Sequence, residues 1–129
     1  MKKVWINGCF DVLHYAHFKM IEHASTFGDM LVIGIDSDER VKELKGDDRP
    51  FHNQEQRKYN LERIKGVKKV VIFNSEEGLR ELLKSYEPDV FVIGSDYIYK
   101  PIIGGEYAKS IVFFNRMENF STTKILTNE

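Results

Sequence analysis

Five short apolar runs, at residues 4–6, 31–35, 70–73, 90–93 and 111–114, are rich in Val, Ile and Phe and bounded by Gly, Asp, Pro or charged residues. Runs of this length and composition fit strands buried on both faces. Between them lie stretches of helical spacing, such as Phe18, Ile21, Ala24 and Ser25, then Gln54, Arg57, Leu61 and Ile64, then Leu79, Leu82, Leu83 and Tyr86. Strand and helix alternate. A chain so patterned is held to an α/β fold, a doubly wound five-stranded parallel sheet with helices on both faces and its ligands at the carboxyl ends of the strands. The longest segment without strong periodicity covers residues 36–53; Ser37 or Asp38 can cap a helix over residues 39–44 and Gly46 can end it. A second such segment runs from Gly94-Ser95-Asp96-Tyr97 to Gly104-Gly105. Both are expected on the ligand edge of the sheet.

The 129 residues fit one domain, residues 1–129, with enough chain for a real core. Charges nearly balance at a net of −1 and are spread in mixed clusters, which argues against nucleic acid as a partner. No charged-then-apolar leader and no apolar stretch of membrane-spanning length is evident, so the expectation is a cytoplasmic protein with no membrane partner. Cys9 is the single cysteine, which excludes an internal disulfide and a multi-cysteine metal site.

The run Asn7-Gly8-Cys9-Phe10-Asp11-Val12-Leu13-His14-Tyr15-Ala16-His17 stands where the first strand gives way to the first helix. Free main-chain N–H groups and the positive end of the helix dipole attract anions there. His14 and His17, three apart, share a helix face and can both hydrogen-bond phosphate oxygens and stabilise developing charge. His23 and His52 carry no such pattern. Asp11 reads as a helix cap or as an orienting partner. The cations Lys42, Lys45, Arg49 and Arg57 read either as a solvated charged surface or as a clamp for phosphates. After the last strand comes Arg116-Met117-Glu118-Asn119-Phe120-Ser121-Thr122-Thr123, whose hydroxyl cluster suits both a helix cap and a phosphate site, since the two use the same N–H groups.

Gly8-Cys9-Phe10-Asp11 with His14 and His17, together with Phe120-Ser121-Thr122-Thr123, resembles the two signatures of the cytidylyltransferase-like nucleotidyltransferases, and the two matches span nearly the whole chain. Within that family the chain is similar to adenylyltransferase domains acting on D-glycero-D-manno-heptose 1-phosphate, through Asn7 to Asp11, Val41-Lys42-Glu43-Leu44-Lys45-Gly46, Arg49-Pro50, Glu55-Gln56-Arg57 and Gly94-Ser95-Asp96-Tyr97. Small glycerol-3-phosphate cytidylyltransferases are a near second. Ala16 departs from the pattern, standing where the family has Gly between the histidines.

The resemblance implies a Rossmann-like fold and an in-line attack of an acceptor phosphate on the α-phosphorus of ATP or CTP, with release of pyrophosphate. It implies that His14, His17, Lys45 and Arg116 carry the catalysis. Gly8, Cys9, Phe10, Tyr15, Ala16, Asp96 and the run from Arg116 to Thr123 would bind nucleotide, and Asp11, Lys45 and Arg57 would bind the acceptor. Mg²⁺ would accompany the triphosphate with no direct side-chain ligand, Asp11 reaching it through water. The family habit is a homodimer. Two other classes stay open on the residues alone. One is a non-catalytic nucleotide-binding module, suggested by Ala16 and the short chain. The other is a phosphoacceptor domain of flavodoxin-like topology, which leaves the histidine pair unexplained.

Overall fold

Successive residues of each strand enter two separate cores, as the twofold repeat of an extended chain requires. The computed structural model describes residues 1–115. Its strands are β1 (Lys3–Gly8), β2 (Met30–Asp36), β3 (Val67–Phe73), β4 (Val90–Gly94) and β5 (Ser110–Phe114). Its helices are α1 (Tyr15–Ser25), α2 (Asp38–Lys45), α3 (Gln54–Glu62) and α4 (Glu76–Tyr86), with single 3-10 turns at Ser95–Tyr97 and Gly105–Tyr107. Val4 and Ile6 of β1 join Leu31, Ile33 and Ile35 of β2 and Val90 and Val92 of β4 beneath Ile21 and Ala24 of α1 and Leu61 of α3. Trp5, Val32, Phe91 and Ile93 turn the other way, onto Leu79 and Leu83 of α4. Each such side chain fully removed from water contributes about 1.5–3 kcal/mol, and the interleaving fixes the register of every strand.

All five strands pair in parallel in the order β3-β2-β1-β4-β5. That order is the Rossmann-type one; a flavodoxin-like sheet would run 2-1-3-4-5, so the phosphoacceptor topology is ruled out. The chain winds outward from β1 to β3, then crosses to β4, which places the switch point between β1 and β4. β1 stays paired with β2 as far as Gly8 with Ile35, whereas its pairing with β4 reaches only Trp5 with Phe91. The two central strands therefore part towards their carboxyl ends, and a crevice opens at the switch point.

The local signals read from the sequence act as expected at α2 and α3. The Ser37 hydroxyl accepts from the Arg40 N–H at 3.2 Å, and Gly46, at φ 107°, ends α2. Asn53 and Gln56 cap α3 reciprocally at 2.8 and 3.0 Å. Gly34, in the middle of β2, has a packing role: a Cβ there would lie 2.5 Å from Cζ2 of the buried Trp5 indole. Gly34→Ala is expected to lower stability by about 1–3 kcal/mol through overpacking, read as a lower urea midpoint at unchanged slope. An unchanged midpoint would show that the indole moves aside without cost.

Candidate active site

The β1–α1 turn is built around Phe10. A Cβ on Gly8 would come within 3.1 Å of the Phe10 ring, so the glycine makes room for that ring. The left-handed backbone of the turn belongs to Phe10 itself, at φ 50°. A residue with a Cβ pays about 1–2 kcal/mol for this conformation, and burial of the Phe10 ring beside His17, at 5.2 Å between centroids, holds it there. His14 follows as the N-cap of α1 in extended conformation, and His17 is the third helical residue. The pair therefore does not stand on one helical face, as its spacing suggests. The turn of the chain at His14 nevertheless stacks the two imidazoles, 3.9 Å apart and 27° from parallel.

The His14 N–H donates to Nδ1 of His17 over a long 3.4 Å. An accepting Nδ1 leaves the proton of a neutral imidazole on Nε2, which makes that edge of His17 a donor. α1 has no acidic residue in its first turn, whereas α2 carries Asp38 and Glu39, α3 carries Glu55 and α4 carries Glu76 and Glu77. The positive end of α1 is thus not offset by its own side chains, and it lies at the mouth of the switch-point crevice. The stacked imidazoles and the positive helix start there suit the oxygens of a phosphate chain.

Two expectations need correction. Asp11 does not cap α1. Its side chain has 0% exposure; Oδ1 accepts from the His52 N–H at 2.8 Å, and Oδ2 from the Phe51 N–H at 2.7 Å and from Arg49 Nε at 3.0 Å. Its own carbonyl oxygen meets His52 Nδ1 at 3.1 Å. Burial pushes the Asp11 carboxyl up, but the His52 and Phe51 N–H groups and the Arg49 guanidinium outweigh it and hold the carboxyl below its ordinary range. A carboxylate so enclosed orients the turn and presents no exposed edge to an acceptor or to metal-bound water.

Arg57, expected at the acceptor, is enclosed as well. With 0% side-chain exposure, its guanidinium donates to His52 O, Cys9 O, Asp36 O and Asp38 Oδ1, at 3.0, 3.0, 2.7 and 2.8 Å. It ties α3 to the ends of β1 and β2. A buried Arg survives in such a place because each donor edge finds an acceptor.

The remaining residues fall on the ligand edge or outside the described part. Lys45, exposed at the end of α2, is close enough to Cys9 to act on its thiol electrostatically. Burial pushes that thiol up against the opposing pull of Lys45 and Arg57, which favours the thiol over the thiolate. Tyr15 is exposed and Ala16 half-buried in the first turn of α1. Asp96 is exposed in the 3-10 turn directly after β4, across the crevice from the histidines. Arg116, Met117, Glu118, Asn119, Phe120, Ser121, Thr122 and Thr123 lie outside the described residues. From the sequence, Arg49 figures only as one of four cations and in the Arg49-Pro50 match, and His52 is set aside; nothing local shows that the loop folds onto Asp11.

The family model described as cytidylyltransferase-like matches residues 5–128. The chain belongs to the cytidylyltransferase-like family. This cytidylyltransferase-like chain is 42% identical over 123 residues to the bifunctional protein HldE of Campylobacter fetus subsp. fetus, covering 95% of this chain and 27% of that protein. It is 44% identical over 123 residues to the bifunctional protein HldE of a Nitratiruptor species, covering 95% of this chain and 26% of that protein. The chain thus spans about a quarter of the length of these relatives. Its fold matches the lipopolysaccharide core biosynthesis protein of Thermoplasma volcanium with a TM-score of 0.75 at 20% identity, covering 91% of this chain and 98% of that one. The resemblance drawn from the two signatures is borne out, and the chain is a nucleotidyltransferase domain.

Proposed function

We propose that this domain transfers the adenylyl group of ATP to the phosphate of a sugar 1-phosphate of the heptose class, releasing pyrophosphate. The observation that carries the proposal is the stacked His14–His17 pair at the acid-free start of α1, beside the opening between β1 and β4. Its membership of the family and its likeness to HldE proteins support the choice of substrates. An oxygen of the acceptor phosphate attacks the α-phosphorus. A new P–O bond forms as the bond to the α–β bridging oxygen breaks, and that electron pair leaves with pyrophosphate. Positioning and charge stabilisation supply the acceleration. His17 Nε2–H and His14 meet the triphosphate, Lys45 meets the attacking or α-phosphate, and Asp96 faces base or substrate. Arg116 and the run Ser121-Thr122-Thr123 take the β and γ end.

A divalent ion, expected to be Mg²⁺, enters with the triphosphate and neutralises its charge; the enclosed Asp11 carboxylate does not fit a metal ligand. Residues 1–129 act as one unit, taken to work in the cytoplasm, where the triphosphate is available, and to pair as a homodimer, which light scattering tests. No helix among the described residues is long and apolar enough to cross a membrane.

Pyrophosphate release, measured with each of the four NTPs against heptose 1-phosphate, glycerol 3-phosphate and phosphocholine, tests the function. ATP with heptose 1-phosphate is expected to give the highest kcat/KM. CTP with glycerol 3-phosphate winning would shift the assignment to CDP-glycerol formation, and no turnover with any pair would leave a nucleotide-binding module. Lys45→Ala is expected to raise the acceptor KM about tenfold or more, the worth of one charge-assisted hydrogen bond. An unaltered acceptor titration would remove Lys45 from the site.

A further inference from the structure

Arg49 has no part in the function proposed above, yet it is a buried cation held against the turn that carries the histidines. Its side chain is 10% exposed, and Nε is fixed on Asp11 Oδ2 at 3.0 Å. Nη2, further along the same guanidinium, is buried and has no hydrogen-bond partner among the described residues. The contrast with Arg57 is sharp, because there four contacts satisfy Nε, Nη1 and Nη2. A buried N–H of a charged group left without an acceptor is costly, so a site that retains one points to an acceptor brought by a ligand.

The segment that carries Arg49 leaves the carboxyl end of β2, which flanks β1 on the side away from β4. The nucleotide crevice lies on the β4 side. In-line displacement requires the attacking oxygen and the departing pyrophosphate on opposite sides of the α-phosphorus. An anion held from the β2 side therefore stands where the acceptor belongs, and Lys45, exposed at the end of α2 after β2, adds a cation on that flank.

We propose that Arg49 binds the phosphate of the acceptor, with Nε anchored on Asp11 and Nη2 donating to a phosphate oxygen; this rests on the adenylyl-transfer function proposed above. The guanidinium fork suits the task because one planar group can serve the carboxylate and the phosphate at once. A lysine ammonium keeps the charge opposite Asp11 but lacks the second, fixed donor direction.

The test uses the full chain and the variants Arg49→Lys and Arg49→Gln. KM values for ATP and for heptose 1-phosphate are measured alongside calorimetric titration of each acceptor without ATP, and urea unfolding. Both variants are expected to raise the acceptor KM and the dissociation constant about tenfold or more, with the ATP KM within about twofold, and Arg49→Lys is expected to keep most of the stability. A loss of stability with an unaltered acceptor KM overturns the proposal, as does an equal rise in both KM values. If the wild type transfers to no acceptor, adenylyl transfer fails but Arg49 is still decided by calorimetry with glycerol 3-phosphate as the phosphomonoester probe. Binding to wild type that is lost in both variants upholds the site, and no binding to wild type overturns it.

Discussion

His17→Ala lowers kcat about 100-fold or more while the ATP KM changes by less than about tenfold, the pattern of a group whose hydrogen bond strengthens as charge develops. The neutral tautomer set by the His14 N–H puts a donor on Nε2, and stacking on His14 with a tilted contact to the Phe10 ring keeps the imidazole from swinging away. A donor held so rigidly needs little reorganisation when the transferred phosphorus gains its fifth oxygen. Removing it also costs helix α1 part of its cap, about 1 kcal/mol, so the variant is to be compared with wild type by urea unfolding and by ATP titration. His17→Asn retains a donor and is expected to recover part of the loss. Steady-state kinetics giving a kcat within about threefold of wild type would take His17 out of the chemistry and leave it as a capping residue.

Asp11→Ala is expected to be the most destabilising single change at the site, at about 3–5 kcal/mol, the cost of leaving a buried charge without its counter-ion. Three donors lose their acceptor together: the main-chain N–H groups of Phe51 and His52, and Arg49 Nε. The loop at residues 49–52 would then detach from the β1–α1 turn and release Phe10 from its left-handed conformation. The effect has a pH signature. Because the Asp11 carboxyl titrates lower in the folded chain than its unfolded value of about 3.9, its stabilisation is fully present above that unfolded value. It is lost as pH falls through the folded value. Urea midpoints measured from pH 7 down to about 3 should fall more steeply for wild type than for Asp11→Asn, which has no such proton to take up. Parallel curves for the two would show that the carboxylate contributes nothing to folding.

The contrast between Asp11 and the histidines explains how far the site could be read from residues alone. The histidine pair was legible because its spacing, its glycine and its preceding strand are all local. The fates of Asp11 and Arg57 were not. A carboxylate before a helix and an arginine in a charged run look the same whether they face solvent, a ligand or the chain's own main chain. Which of these holds depends on partners far away in sequence: Asp11 meets donors 38 to 41 residues on, and Arg57 reaches back 48 residues to Cys9. The same distance hid the pairing of Arg49 with Asp11.

For the fold, the sequence by itself determined the element types and their order. Alternating apolar runs and helical spacing act over a few residues, and the caps at Ser37, Asn53 and Gly46 are local chemistry. It also determined the family, through motifs at either end of the chain. The tertiary structure alone decided the strand order β3-β2-β1-β4-β5 and the parting of β1 from β4 after Trp5. It also decided which cations are internal braces and which remain able to meet a phosphate. Those outcomes turn on which distant groups desolvate one another. A buried charge is tolerated only where the fold brings it an opposite charge or an acceptor, and no short window of sequence records that meeting.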